Sequence, residues 1–432
     1  MLLTGAAGTG KNVVIREMVR RVGRDRFILL APTGNAACAI EGQTIHSGLR
    51  VGVNLRRAAD PSVLNGRARA GLQRHMEGVD FILVDGFSMV GQELLGLMSA
   101  RGRQAVEGRR RETGDLSIER LFGGLCVIFV GDPMQLPPVG PSAMWSPTPT
   151  TTGLSLHGFQ AWNGFNHAVE LTEVMRQLGP EQAAFRATLL RVAEGMQSEE
   201  DWALLRTRFT SEVAHSNAAS FDDAVHIFPT NAAADDWNWT RLQGLGTPIA
   251  KIDASHTIPG FSASPADRFR GLQGHFFLAI GACVFINNNI WTSAGLANGS
   301  VGEVREREGV AVDLHNVVPI APIGAPDDQP PAARRRSGGA ANPHAEHRCV
   351  RRQLPLMLSF AITIHKSQDQ TLDRCFLDKG DQERSDGQSL TAFSRCRALG
   401  NLILEPFSLE RFLRIGQSRS FQTRLSALDH IR

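Results

Sequence analysis

The sequence predicts an α/β protein built on largely parallel sheets, and three observations carry that prediction. Short apolar runs alternate with longer amphipathic stretches, several runs end on a polar residue, glycine or proline, and the first run leads into a glycine loop. The runs are Phe27–Ala31, 81–84, 126–130, Val225–Phe228, Cys283–Ile286, 356–364 and Leu402–Leu404. They pass into Pro32-Thr33, Asp85-Gly86, Gly131-Asp132 and Pro229-Thr230. Buried strands with functional groups just past their carboxyl ends are what a parallel sheet flanked by helices produces.

The glycine loop is Gly5-Ala6-Ala7-Gly8-Thr9-Gly10-Lys11-Asn12, preceded by apolar residues 1–3. Val13, Val14, Met18 and Val22 follow it at helical spacing. Strand, glycine loop and helix N-terminus in that order form an anion site, because backbone N–H groups and the helix dipole point at phosphate. All eight loop residues are therefore candidate nucleotide contacts, with Lys11 reaching the β- and γ-phosphates. The pattern calls for Ser or Thr after the lysine, whose hydroxyl holds magnesium. Here that position is Asn12.

Amphipathic helices fill the gaps. Phe185, Leu189 and Val192 define one face that ends at Gly195, and Ser198 with Asp201 forms a capping pair for the helix carrying Trp202 and Leu205. Residues 50–78 are arginine-rich and weakly patterned, which predicts a small insertion. Residues 322–347 are low-complexity Pro, Ala, Gly and Arg, expected to be an exposed linker.

A chain of 432 residues allows about two to four domains. Its 42% apolar and 21% charged content is that of an ordinary globular protein. A net charge of +3 leaves any nucleic-acid affinity to local grooves rather than a global positive field. Cys38, Cys126, Cys283, Cys349, Cys375 and Cys396 are scattered, which argues for free thiols in a reducing compartment. His344, His347 and Cys349 lack a fourth ligand nearby and read as loop residues rather than a zinc site. No run approaches the roughly 18 apolar residues of a membrane span, and no signal peptide is visible. Met1 leads straight into the first strand, so the expectation is a fragment or a start trimmed at its 5′ end.

Asp85 ends an apolar strand, the arrangement that supports magnesium in nucleotide-hydrolysing enzymes with such a loop. Further on, Gly131-Asp132-Pro133-Met134-Gln135-Leu136-Pro137-Pro138-Val139 puts a glutamine and a stiff double proline after a strand, which places an amide near the γ-phosphate. Ala31-Pro32-Thr33-Gly34-Asn35-Ala36-Ala37, then Gly42-Gln43-Thr44-Ile45-His46-Ser47, come between loop and strand. Leu171-Thr172-Glu173-Val174-Met175-Arg176-Gln177, Phe228-Pro229-Thr230-Asn231 and Gly295-Leu296-Ala297-Asn298-Gly299-Ser300-Val301-Gly302 follow. Ala361-Ile362-Thr363-Ile364-His365-Lys366-Ser367-Gln368 and Thr391-Ala392-Phe393-Ser394-Arg395 close the series. In this order the motifs resemble those of superfamily-one helicases, specifically the petite-integration-frequency type and its RecD-like relatives. The resemblance runs from Gly5 to about Leu404.

That resemblance implies two RecA-like domains with parallel sheets and small insertions. The first, ATP-binding, spans residues 1–162 with the insertion near 50–78, and the second spans 163–432 with a β-rich insertion and the low-complexity segment near 252–353. It implies ATP and Mg2+, the metal falling to Asn12 and Asp85. Lys11, Asp85, Gln135 and the two arginines Arg176 and Arg395 would be the catalytic set, since phosphoryl transfer needs positioning and charge neutralisation more than covalent chemistry. Thr33, Thr44, His46, Asn231, Thr363, His365 and Lys366 would contact a single-strand backbone, independently of sequence and sensitively to salt. The implied activity is an ATP-dependent 5′-to-3′ DNA helicase acting on single strands and duplex junctions in repair, recombination or telomere maintenance. By the same resemblance it would be monomeric, not membrane-bound, intracellular, and placed in nucleus or mitochondrion. Arg109 to Arg111 and Arg334 to Arg336 read instead as solvated loop charges.

Three positions depart from the family pattern. Asn12 replaces the magnesium-binding hydroxyl, Gly86 stands where a water-polarising glutamate is expected after Asp85, and Asp369 replaces the glycine after Gln368. General-base assistance contributes about 10²–10⁴-fold, so the second reading is a hydrolysis-deficient, nucleotide-gated single-strand binding protein. Glu93, the next acid along the chain, would replace the glutamate only through an unusual geometry. A carboxylate at position 369 is expected to repel both the γ-phosphate and the DNA backbone.

Overall fold

The computed structural model describes residues 1–51, 63–64, 66–112, 120–140, 142–147, 153–213, 221–269, 271–288, 290–291, 294, 296, 299–305, 318–326 and 349–429. Its first sheet contains β1 (Leu2–Gly5), β2 (Phe27–Ala31), β3 (Gln43–Thr44), β4 (Phe81–Asp85), β5 (Cys126–Gly131) and β6 (Ala168–Leu171) in the order β3-β2-β4-β5-β1-β6. Every pairing in it is parallel. The strands read as continuous apolar runs because both faces are covered. Leu2, Ile28, Leu30, Ile82, Val84 and Phe129 join one core cluster, while Leu3, Phe27, Leu29, Leu83, Ile128 and Val130 join another. That alternation is the period of two that a pleated strand imposes. Each such side chain, taken fully out of water, stabilises the fold by about 1.5–3 kcal/mol.

The helix Lys11–Val22 follows the glycine loop, but its buried face differs from the expected one. Ile15 is buried and Val14, Met18 and Val19 pack beside it, whereas Val13 and Val22 are exposed. Valine spacing alone could not rank the two possible stripes. The helix Ala183–Glu194 buries Phe185, Leu189 and Val192 and ends at Gly195 in the left-handed conformation. Ser198 and Asp201 form the reciprocal capping box of the next helix, Glu199–Arg206.

A second parallel sheet begins with β7 (Val225–Phe228). The chain then forms a separate compact unit, Asp235–Phe360, before returning to the first unit, Met1–Ala234 with Ala361–Arg432. The separate unit holds β8 (Ala250–Asp253), β9 (Ser255–His256), β10 (His275–Leu278), β11 (Cys283–Ile286), β12 (Val301–Glu303), β13 (Ile323–Pro326), β14 (Val350–Gln353) and β15 (Leu356–Leu358). These pair antiparallel in three small sheets. The Arg351 guanidinium, 0% exposed, anchors this unit by donating to His256 Nε2 and the carbonyls of Leu272, Phe261 and Ser264. Back in the first unit, β16 (Ala361–Thr363), β17 (Cys375–Leu377) and β18 (Leu402–Leu404) complete the second sheet in the order β16-β7-β17-β18, all parallel.

Three sequence expectations change here. Cys283–Ile286 is a strand, yet it sits in an antiparallel sheet, between β12, the next strand in the chain, and β15, which returns to it from farther on. The apolar run 356–364 is divided: β15 pairs with β11 in one unit, and β16 with β7 in the other. The first residues of the low-complexity segment form β13, pairing with β14. Residues 327–347, with Arg334 to Arg336, His344 and His347, lie outside the described residues, as do most of 50–65 and Gly295, Ala297 and Asn298. Among the described residues no helix is long and apolar enough to cross a membrane.

Candidate nucleotide cleft and nucleic-acid interface

Strand ends and loops of the first unit converge on a cleft of about 370 Å3. It is lined by Ala7, Gly8, Gly10, Lys11 and Asn12 of the glycine loop, by Asp85 and Gly86 after β4, and by Asp132 and Gln135 after β5. Arg176, Gln368, Asp369 and Arg395 complete the wall. All five expected catalytic side chains, Lys11, Asp85, Gln135, Arg176 and Arg395, therefore share one cavity.

The loop's shape follows from its glycines. Gly8 and Gly10 take φ of +87° and +83°, and Gly10 opens the helix Lys11–Val22. A Cβ on Gly8 would stand 2.4 Å from the Arg176 Cβ, so only glycine lets the loop and that segment pack this closely. Met175 N–H donates to Gly8 O at 2.8 Å across the same contact. Lys11 Nζ donates to Gly5 O and Ala6 O at 2.8 and 2.9 Å. Burial lowers its pKa, while Asp132 and Asp85 pull it back up. Val13 N–H donates to Gly10 O at 2.9 Å, and the N-terminal end of the helix, whose first residues Lys11 and Asn12 line the cleft, favours an anion there.

Asp85 is buried, and burial with the Asp369 carboxylate nearby raises its pKa to about 7 against the pull of Lys11. Asp132, also buried, accepts from Met134 N–H at 2.9 Å and from Gln135 Nε2 at 3.2 Å, which fixes the Gln135 amide in the cleft wall. Behind that turn, Arg424 Nη1 donates to Pro133 O at 3.0 Å and Gln135 O at 2.7 Å. Nothing in the sequence singles out Arg424; its helix, Arg419–Asp429, reaches the turn only through the tertiary fold.

The arginines differ. Arg176 Nη1 donates to Ser394 O at 2.9 Å, and burial lowers its pKa while Asp369 raises it. Arg395 is 1% exposed and donates to the carbonyls of Thr391, Ser367 and Gln370 and to Ser394 Oγ. Its pKa falls to about 10 through burial and the facing Arg176, so it stays charged at neutral pH. A third arginine, Arg397, is exposed and lines the cleft. Two residues past the motif that carries Arg395, it reads in sequence as an ordinary surface charge.

Asn12 and Asp85 both line the cleft, and Asp85 and Asp369 repel each other there. One carboxylate and one amide oxygen, with room for water and phosphate oxygens, suit Mg2+, which keeps several waters and takes few protein ligands. Among the described residues no group of three or more His, Cys, Asp or Glu could hold a metal unaided. Any cation in the cleft would thus be shared with an anionic ligand.

The expected DNA-contact residues fall into strand-to-helix turns. Thr33, Thr44 and Thr363 each cap a short helix, their Oγ1 accepting from Ala36, Ser47 and Lys366 N–H. Thr44-Ile45-His46 and Thr363-Ile364-His365 are the same three residues in the same local geometry, each at a strand's carboxyl end. Ile45 and Ile364 are both fully buried, pinning the turns. Burial lowers the pKa of both His46 and His365. Lys366 and Asn231 are exposed, and Thr230, not Asn231, accepts from Ala233 N–H at the next helix start. Glu93 does not line the cleft.

Comparison with known proteins adds to this geometry. The PIF1-like helicase family model matches residues 1–202. The chain is 28% identical to the human ATP-dependent DNA helicase PIF1 over 406 residues, covering 93% of this chain and 57% of that protein. It is 28% identical to the zebrafish (Danio rerio) protein of the same name over 430 residues, 94% of this chain and 58% of that one. The chain thus spans a little over half the length of these relatives. The crystal structure of Pif1 helicase from Bacteroides in complex with ADP-AlF3 and ssDNA superposes with a TM-score of 0.70 at 24% identity, covering 95% of this chain and 89% of that one. Pif1 helicase from Candida albicans gives 0.70 at 20%, covering 100% and 95%.

Proposed function

We propose that the chain is a PIF1-like helicase that couples ATP hydrolysis to 5′-to-3′ movement along single-stranded DNA, a reading supported by the family match over residues 1–202 and by the 28% identity to its relatives. The observation that carries this is the meeting of Lys11, Asp85, Gln135 and Arg176 in one cleft that Arg397 also lines. Phosphoryl transfer asks for that set: a phosphate cradle, a carboxylate for the metal, an amide at the γ-phosphate and cations for developing charge.

In this reading the loop N–H groups of residues 5–12 and Lys11 Nζ hold the β- and γ-phosphates. Asn12 and Asp85 hold Mg2+, which neutralises phosphate charge when bound. Arg176 and Arg397 face the γ-phosphate, Arg395 holds the turn that Asp369 belongs to, and Gln135 links the nucleotide to the strand-end turns. Thr33, Thr44, His46, Asn231, Thr363, His365 and Lys366 take the phosphates of a single strand. The twin Thr-Ile-His turns support two similar grips on one repeating backbone. The two RecA-like domains are assigned to 1–162 and 163–432, and action at duplex junctions, in repair, recombination or telomere maintenance, in nucleus or mitochondrion, belongs to the same proposal.

The test is ATP turnover with and without single-stranded DNA, alongside Lys11→Ala. Turnover stimulated by DNA and abolished in Lys11→Ala is expected. A second reading, a single-strand binding protein gated by nucleotide without turnover, is favoured by Gly86, which offers no side chain to the cleft. It predicts ATP-dependent DNA retention with hydrolysis at the Lys11→Ala background.

A further inference from the structure

We propose that Asp369 is the group that orients and deprotonates the attacking water, an inference that rests on the cleft hydrolysing ATP. Three observations carry it. First, Asp369 has φ of +62°, a left-handed conformation that costs a non-glycine residue about 1 kcal/mol and is kept where surroundings over-determine it. Second, its carboxyl lines the cleft and accepts no hydrogen bond among the described residues, while Arg395, Lys11 and Arg176 are its charged neighbours. Asp369 is exposed, and its side chain lines the cleft. Third, a Cβ built on Gly86 would stand 3.9 Å from Asp369 Oδ2. The carboxylate therefore lies beside position 86, at ordinary contact distance from where a side chain there would begin.

The other acids of the cleft are otherwise engaged. Asp132 is hydrogen-bonded to Met134 N–H and Gln135 Nε2, and Asp85 sits with Lys11 where a metal ligand is needed. A carboxylate without a hydrogen-bond partner, in a cavity meant for polyphosphate, serves no packing purpose and repels the ligand. Its use is to the third party in hydrolysis. The water oxygen attacks the γ-phosphorus as the bond from that phosphorus to the β–γ bridging oxygen breaks, its electron pair leaving with ADP. The water's proton passes to an Asp369 carboxylate oxygen and then to solvent. The repulsion expected from the sequence alone becomes a neutralised contact, because the neighbouring guanidinium and ammonium groups offset it.

Asp369→Gly is the decisive variant, since +62° suits glycine and the fold is not put at risk. DNA-stimulated turnover, affinity for a fluorescent ATP analogue and melting temperature are measured on the full chain, with Lys11→Ala as background. The expected result is a kcat lower by about 10²–10⁴-fold, analogue affinity unchanged or tighter, and a melting temperature equal or higher. Asp369→Asn should match the glycine variant, and Asp369→Glu should recover part of the rate. Parental turnover well above Lys11→Ala with Asp369→Gly within about threefold of the parent would overturn the role of Asp369 and leave the ATPase reading standing. Parental turnover no higher than Lys11→Ala would overturn both.

Discussion

Replacing Arg395 by alanine should cost the fold before it costs the chemistry. Its guanidinium donates to Thr391 O at 2.6 Å, to Ser367 O and Gln370 O at 3.1 Å, and to Ser394 Oγ at 2.8 Å. Alanine leaves three carbonyls and a hydroxyl without that donor, in a place where the arginine is 1% exposed. Thr391 O still accepts from Ser394 Oγ and Ser367 O from Gln370 N–H. The main losses are therefore one unpaired acceptor, at about 1–3 kcal/mol, and the packing and charge of the buried side chain, part of which water entering the space recovers. Relief of the facing Arg176 charge recovers a little more. The net loss is about 3–5 kcal/mol, the range seen when a buried charge network loses one member. At roughly 2–4 °C per kcal/mol for a large unit, melting should fall by on the order of 6–20 °C. Differential scanning fluorimetry with and without a non-hydrolysable nucleotide measures this directly. Arg395→Lys should lose most of the same stability, because one ammonium cannot span four acceptors. A variant that melts within about 1 °C of the parent while losing turnover would refute the reasoning and show a guanidinium free to act on phosphate alone.

Other outcomes follow from the same geometry. Although burial pushes the Asp201 carboxyl up, hydrogen bonds from Arg191, Thr188 and Ser198 hold it down at about 2. Its folded value lies below its unfolded one, so its contribution is present above about pH 4 and lost as pH falls towards 2; Asp201→Asn should flatten that part of an acid-unfolding curve by about 2 kcal/mol. Lys379, buried over the Phe407 ring with Nζ lacking a hydrogen-bond partner among the described residues, is lowered to about 7 by burial, then Arg411. Folding then disfavours its charge, stability rises from pH 7 towards the unfolded value near 10.5, and Lys379→Met should stabilise at neutral pH by about 1–2 kcal/mol and abolish that rise. Gly8→Ala must displace the loop from Arg176 and should weaken binding of an ATP analogue at least about tenfold, with a lower melting temperature; unchanged affinity would mean the 2.4 Å approach is not made in solution.

The parts legible in the sequence are those governed by neighbours in the chain. The turn from β1 through Gly10 to Lys11, the carboxylate at the end of β4, and the Ser198–Asp201 box each need only a few consecutive residues, and each is where its pattern points. What the sequence hid depends on distant partners. Arg176 meets Ser394 across 218 positions, and Arg424 meets Pro133 across 291. Motif order suggests that Arg395 faces a nucleotide, but only packing reveals that four acceptors already hold it. Asp369 reads as damage at a glycine position until its φ of +62° shows that the glycine backbone has been kept and a carboxylate added. The valine stripe of the first helix and the division of the run 356–364 between two units were hidden for a simpler reason: periodicity reports that a residue is apolar, not which neighbour covers it.

The link from Arg424 to the Gln135 turn also bears on how the protein is made. The glycine loop leaves the ribosome well before Arg424, the side chain that holds the Gln135 turn in place. At about 5–20 residues per second, the interval between Asn12 and Arg424 is on the order of 20–80 s. For the first part of that time β1 must wait for β5 and β6, which flank it from positions 126–131 and 168–171. Long-range pairing of this kind is slow and leaves apolar strand edges uncovered. A nascent chain of this protein should therefore be a chaperone client through that interval, and should gain nucleotide binding abruptly, once Arg424 has emerged, rather than in proportion to its length.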